Sequence, residues 1–426
     1  MQDLGIISPS LEEFRERAVT HRVIPVCIKI LADSLTPIGI YRSLVLHDGA
    51  ADPGTFLLES AKIATEGESA AWDRYSFIGA SSRSTLTTRD GKIYWQGQTP
   101  AGAPTEGDPV EAIDQTLRML HTEPVPGLPP LTSGLVGYLG WDVVRRWENL
   151  PYPPADDVNL PEFALNMVSD MAIHDNTDGT VLLIANAINF NGTDENVDDA
   201  YVDAVERLHR MLQQLEQGAS ETASVLTGVS EVNARIHREV TQTWSVQGYQ
   251  DAIDRCKKNI IDGDVFQIVI SRRFEVETGA DALDVYRILR QSNPSPYMYL
   301  FNFEDAEGIP FQIVGSSPEA LVTLKEGRAT SHPIAGSRPR GATREQDIAL
   351  AEELLADQKE RSEHLMLVDL ARNDLSRIAK PGTVSVDEFM VIERFSHIMH
   401  ISSSVSAELD PQFSAYDVLR VAFPAG

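Results

Sequence analysis

Two glutamates, Glu360 and Glu363, stand three apart in Asp357-Gln358-Lys359-Glu360-Arg361-Ser362-Glu363-His364. In a helix that spacing puts both side chains on one face. The same stripe continues through Leu367 and Leu370, which predicts carboxylates directed at protein rather than water. Two inward carboxylates need a proton or a cation. A hard ion such as Mg²⁺ accepts carboxylate oxygens, keeps several waters and takes the rest of its octahedron from a ligand's oxyanions. A solvated acidic face has the same spacing, so the pair alone leaves both readings open.

Three further segments carry chemistry-bearing residues. Ser331-His332-Pro333-Ile334-Ala335-Gly336-Ser337-Arg338-Pro339-Arg340-Gly341 packs glycines, a hydroxyl and two arginines together, a composition that suits an oxyanion. An ordinary Gly/Pro turn has the same composition. Gly315-Ser316-Ser317-Pro318-Glu319 places a carboxyl at the entry of an apolar strand, residues 320–324. Glu319 suits a general acid if partly desolvated, and otherwise reads as an exposed carboxylate. Ser396-His397-Ile398-Met399-His400 sets two histidines on opposite faces of a strand, so only one can face a site. A satisfied core or surface histidine is the plainer reading.

The elements that must position these residues follow from periodicity and punctuation. Thr343-Arg344-Glu345-Gln346 resembles a capping box, which predicts one helix running from there through the Glu360–Glu363 segment. Alternating runs at 85–89, 92–95 and 180–187 read as strands, and 110–120 and 202–215 show helical spacing. A mixed α+β layout follows. The Gly/Ser/Thr/Glu-rich stretch 216–232 reads as a linker or surface loop, dividing a region 1–230 from a region 240–426. Beyond it Tyr249, Ile253, Cys256 and Ile260 mark a helix, Asp262-Gly263-Asp264 a turn, and 265–276 a strand.

Acidic residues outnumber basic ones, 63 to 36, for a net charge of -27. That balance opposes nucleic-acid phosphates and repels small anionic substrates, so an enzyme acting on an anion needs local positive charge, from a metal or the basic cluster between Lys325 and Arg344. Two cysteines, Cys27 and Cys256, make neither a disulfide framework nor a thiolate metal site. No apolar run reaches the length of a membrane span, and the first residues are acidic rather than signal-like, so a cytoplasmic protein without membrane or nucleic-acid partners is expected.

Taken together, 333–341, 359–377, 397–405 and 423–426 resemble the chorismate-binding domain shared by anthranilate, aminodeoxychorismate, isochorismate and salicylate synthases. Leu365-Met366-Leu367-Val368-Asp369-Leu370-Ala371-Arg372-Asn373-Asp374-Leu375 is a long ordered match, and the resemblance extends from about Arg22 onward. It implies antiparallel sheets forming a two-sheet sandwich with helices. By that resemblance Glu363 is a direct Mg²⁺ ligand with Glu360 its partner, and Gly336 and Ser337 contact chorismate. Threonine is usual where Ser337 stands, so the hydroxyl is kept. Glu319 matches the acid that protonates the departing C4 hydroxyl, and His400 the histidine acting in the later loss of pyruvate. Water-using members carry a lysine base where this chain has Gln267, and glutamine cannot serve as that base. Aminodeoxychorismate synthases usually have lysine where this chain has Ala335. Both positions point to the ammonia-using, anthranilate-forming branch, with aminodeoxychorismate synthase the alternative.

Leu57-Leu58-Glu59-Ser60 and Asn293-Pro294-Ser295-Pro296-Tyr297-Met298 resemble the tryptophan feedback site of the same family, implying that Ser60, Pro296, Tyr297 and Met298 contact L-tryptophan. The resemblance also implies ammonia from a glutamine amidotransferase subunit. Family domains normally continue past Phe423-Pro424-Ala425-Gly426 with further substrate and metal residues. The expectation from sequence is therefore an incomplete catalytic domain with little activity alone, or a tryptophan-binding fragment.

Overall fold

The computed structural model describes residues 4–61, 74–121, 125–218, 240–395 and 397–424. The chain divides into two compact units, one formed by Met1–Ser220 with Ala282–Gly426 and the other by Glu221–Asp281. Most of the 216–232 stretch read as a linker lies outside the described residues.

The first unit is organised by long apolar strands. Phe163–Asp175 and Thr180–Ile188 are buried along their whole length, because both faces of this part of the sheet are covered by side chains. They form a hairpin whose turn is held by Asp175 and Asp178, accepting from the N–H groups of Thr177 and Thr180. Tyr75–Arg89 and Val23–Leu31 flank the hairpin in a ten-stranded sheet. Helix Val197–Gln217 presents Ala204, Leu208, Met211 and Leu215 to one face, and Pro37–Val45 adds Ile40, Tyr41 and Leu44. Each such fully buried large side chain contributes about 1.5–3 kcal/mol.

Strand Phe56–Glu59 joins this sheet to Tyr297–Glu304, which pairs in turn with Pro310–Ser317. The regions 1–230 and 240–426 therefore share one sheet. A second, five-stranded sheet contains Thr323–Lys325, Arg328–Ser331, Ile398–Glu408 and Ile334–Pro339 in that order, with Ser385–Arg394 also paired to Ile398–Glu408. Among the described residues the strands of both sheets pair antiparallel, and helices complete the α+β fold expected from the sequence. The strand expected at 320–324 is shorter and later, Thr323–Lys325. Glu319 therefore lies in the connection that carries the chain from the first sheet to the second.

The single helix expected from Thr343 is two helices, Arg344–Ala356 and Gln358–Ser376. Thr343 caps the first, but the break falls at Asp357. Its carboxylate accepts from the N–H groups of Lys359 and Glu360 and caps the start of a new helix. Among the described residues no helix is long and apolar enough to cross a membrane.

In the second unit Val246–Asp262 is a helix, capped by Ser245 and ended by Gly263 in the left-handed region. Of the strand expected at 265–276 only Phe274–Glu275 is strand, paired with Thr241–Gln242. Val265, Phe266 and Val269 are exposed within this unit and have no partner strand there. An apolar run becomes a strand only where a neighbour takes its hydrogen bonds.

Candidate active site

The Gly336-Ser337 pair sits at an irregularity in the second sheet. Ala335 opposes Ile401 and Ser337 opposes His400, leaving Gly336 as the extra residue of a bulge at φ +70°. The bulge places the Ser337 hydroxyl 3.1 Å from His400 Nδ1, and the Gly336 carbonyl 2.9 Å from the same nitrogen. The carbonyl can only accept, so Nδ1 carries the proton and Nε2 is left as the basic nitrogen. Phe395 packs edge-on against the ring, 5.5 Å between centroids. His397 lies just before the strand, its Nε2 3.1 Å from the Ser292 carbonyl, and Ser396 lies outside the described residues.

A side chain at Gly336 would meet Glu360. A Cβ there would stand 3.1 Å from Glu360 Oε2, 3.2 Å from Glu360 Cβ and 3.2 Å from Leu354 Cδ1. The glycine is thus the floor against which Glu360 rests. Gly336→Ala is expected to lose about 1–2 kcal/mol to the left-handed backbone alone, and to push Glu360 aside. Thermal unfolding reports the first effect, and divalent-cation binding the second.

The two arginines of this loop are engaged inside the protein. Arg338 pairs with Glu353 and with Asp357, the cap of the helix that bears Glu360. Arg340 pairs with Asp347, which also takes Arg394 and the Gly341 N–H. The hydrogen bond from Arg340, with those from Gly341 and Arg394, holds the Asp347 carboxyl well below the usual range. The oxyanion-binding composition read from the sequence serves here to clamp the loop onto the two helices.

Glu360 and Glu363 lie on one side of Gln358–Ser376, with Glu360 the more buried at 17 % side-chain exposure against 35 %. The Lys359 ammonium stands 3.6 Å from Glu360 Oε1 and 3.9 Å from Glu363 Oε2, so both carboxylates converge on one cation position. Two hard oxygen donors near one cation are a donor set that Mg²⁺ can use, since it commonly binds through one or two carboxylates and waters. Among the described residues no group of three His, Cys, Asp or Glu side chains forms a fuller metal site. The buried stripe of the helix is His364, Val368, Ala371 and Leu375. The stripe read from sequence, 360-363-367-370, runs beside it rather than along the buried centre.

That flanking stripe leads into a cavity of about 300 Å³ whose walls include Glu319, Ser331, Ile334, Leu367, Leu370 and Asp374. Burial, with a smaller push from the Glu393 charge, raises the Glu319 carboxyl to about 7. Glu393 lies opposite His400 in the strand ladder, whereas the cavity beside Glu319 is not lined by His400, Ser337, Glu360 or Glu363. Asp374 was not singled out from sequence. Burial raises its carboxyl too, against a lowering by Arg377. Its signal was present in the stripe, since Asp374 falls four residues after Leu370.

Tyr297 and Met298 begin strand Tyr297–Glu304, and Ser60 and Pro296 adjoin the paired ends of that strand and Phe56–Glu59. Glu59 opposes Met298, and the Ala61 N–H donates to the Ser295 carbonyl at 3.0 Å. Glu59 is buried, accepting from the Tyr286 hydroxyl at 2.7 Å and pairing with Arg290 at 3.2 Å. This carboxylate was missed from sequence, because Tyr286 and Arg290 become its neighbours only through the sheet. Gln267 is exposed in the second unit, in irregular chain.

The chain as a whole is similar to known proteins. The chorismate binding enzyme family matches residues 60–426. Anthranilate synthase component 1 of Arthrobacter globiformis is 58% identical over 426 residues, covering 100% of this chain and 78% of that protein. The Mycolicibacterium smegmatis (strain ATCC 700084 / mc(2)155) protein of the same description is 52% identical over 98% of this chain and 77% of its own length. Among solved structures, anthranilate synthase component I from Streptococcus pneumoniae TIGR4 superimposes with a TM-score of 0.67 at 28% identity, covering 86% of this chain and 75% of that one.

Proposed function

The chain belongs to the chorismate-binding enzyme family, alongside anthranilate synthase component 1, and from that premise we propose that it converts chorismate and ammonia to anthranilate, pyruvate and water. The observation that carries the reading is Glu319, a half-buried carboxyl held to about 7 in the wall of a cavity. Such a group still carries its proton near neutral pH and can deliver it.

Glu360 and Glu363 would hold Mg²⁺, which when bound supplies the positive charge that an anionic substrate needs in a protein of net charge -27. Glu319 gives its proton to the departing C4 hydroxyl, which leaves as water while ammonia adds at C2. His400 Nε2, aimed by the Nδ1–H bond to Gly336, exchanges the proton of the pyruvate-eliminating step. The Ser337 hydroxyl and the bulged backbone at Gly336 orient the substrate. By the family resemblance alone, the glutamine at 267 in place of a lysine base favours ammonia over an activated water as nucleophile. A glutamine amidotransferase partner would supply that ammonia, in the cytoplasm.

The test is incubation with chorismate, ammonium and Mg²⁺, following anthranilate by fluorescence and pyruvate by a coupled assay. Anthranilate and pyruvate in equal amounts support the reading, and 4-amino-4-deoxychorismate as product overturns it. Ala335 is 9 % exposed against Ile401, and Ala335→Lys is the variant that probes the aminodeoxychorismate alternative. The adjacency of Glu59-Ser60 and residues 295–298 favours a second role for the same chain, inhibition by L-tryptophan. Calorimetry with tryptophan tests that role independently of turnover.

A further inference from the structure

The helix Gln358–Ser376 has four buried side chains, and the one nearest its carboxylate-bearing end is a histidine. Val368, Ala371 and Leu375 anchor the other end by apolar packing. His364 is 0 % exposed, and its Nε2 lies 2.7 Å from the Ser403 hydroxyl. Ser403 is a junction. Its oxygen accepts the Met390 N–H at 2.9 Å, where Met390 sits at φ +54° in the irregular stretch of Ser385–Arg394. Its own N–H donates to the Pro333 carbonyl at 3.1 Å, three residues before Gly336. The Ser403 hydroxyl therefore ties the helix to an edge strand, and the backbone N–H of the same residue holds the segment that leads into the glycine bulge.

With Met390 donating to it, the Ser403 hydroxyl keeps one proton and one acceptor site, so it can donate to His364 Nε2 or accept from it. In either tautomer His364 Nδ1 is buried and has no hydrogen-bond partner. An apolar residue would fill the place without that orphaned group, so packing alone does not account for an imidazole here.

We propose that His364 is a positioning residue which, through Ser403, sets the rotation of its helix and so the aim of Glu360 and Glu363 at the cation position beside Gly336. The proposal rests on the reading of those glutamates as metal ligands. One residue before His364, Glu363 follows any turn of the helix about its axis, and Glu360 moves against the Gly336 floor.

Mg²⁺ binding to the full chain, measured by calorimetry and by Mn²⁺ displacement without substrate, tests it. Ser403→Ala and His364→Leu are expected to weaken Mg²⁺ about 10–100-fold, the usual cost of losing a group that orients a ligand. Ser403→Thr, which keeps the hydroxyl, is expected to stay within about twofold of the parent by the same argument. If the parent binds Mg²⁺ and Glu363→Gln does not, yet Ser403→Ala binds as tightly as the parent while losing only thermal stability, His364 is a packing contact and the proposal fails alone. If the parent does not bind Mg²⁺, the metal reading fails and takes the proposal with it. Should His364→Leu not fold, Ser403→Ala and Ser403→Thr decide the matter.

Discussion

Glu319→Gln is expected to slow turnover about 10²–10⁴-fold, the range for removing a positioned general acid. Glutamine preserves the shape of the cavity wall and removes only the transferable proton. The pH profile carries a second signature. With the carboxyl at about 7, the parent holds its proton below that value and loses activity as pH rises through it, while the variant lacks this limb. Stability falls with rising pH as well. A carboxyl raised on folding is most compatible with the native state when protonated, so it costs stability as pH rises from the ordinary carboxyl range through about 7. At pH 8 the variant is therefore expected to be more stable than the parent, by about 1–2 kcal/mol once partial exposure is allowed for. A variant with unchanged turnover and an unchanged alkaline limb would remove Glu319 from the chemistry.

Glu363→Gln is expected to abolish the response to Mg²⁺ and to lower turnover by about two to three orders of magnitude, corresponding to several kcal/mol of lost charge stabilisation. The neighbouring ammonium cannot stand in, because Lys359 is 80 % exposed and 3.9 Å from the Glu363 carboxylate. Titrating MgCl₂ into the variant at saturating chorismate measures this directly. Equal Mg²⁺ activation in parent and variant would show that the ion is held elsewhere. Glu360→Gln is the informative partner, since a carboxylate resting on Gly336 is expected to affect the ion's affinity more than the limiting rate.

How much of this was legible before folding differs residue by residue. The Glu360–Glu363 pair was readable because helical spacing is local, and the Gly336-Ser337 motif because a glycine at a bulge leaves a compositional mark. Asp357 was not. In the middle of a helical pattern an aspartate reads as one more polar residue, and only its two bonds to following N–H groups reveal it as a cap. Arg338 and Arg340 were legible as cations but not as partners of Asp357 and Asp347, since ion pairing is decided by which helices pack beside the loop. The buried Glu59 was invisible for the same reason. Its neighbours Tyr286 and Arg290 lie on a helix whose place beside the sheet is set by long-range pairing.

The shared sheet has a further consequence, for the chain as it is made. Phe56–Glu59 has Tyr75–Arg89 on one side and Tyr297–Glu304 on the other. During synthesis the first neighbour arrives almost at once. The second follows about 240 residues later, which at roughly 5–20 residues per second leaves one side of a buried strand unpaired for about 12–50 s. An open apolar edge held for that long is a template for pairing with other chains. Yield in cells should therefore depend on chaperone supply and on growth temperature, and slowing the ribosome between these strands should lengthen the exposure.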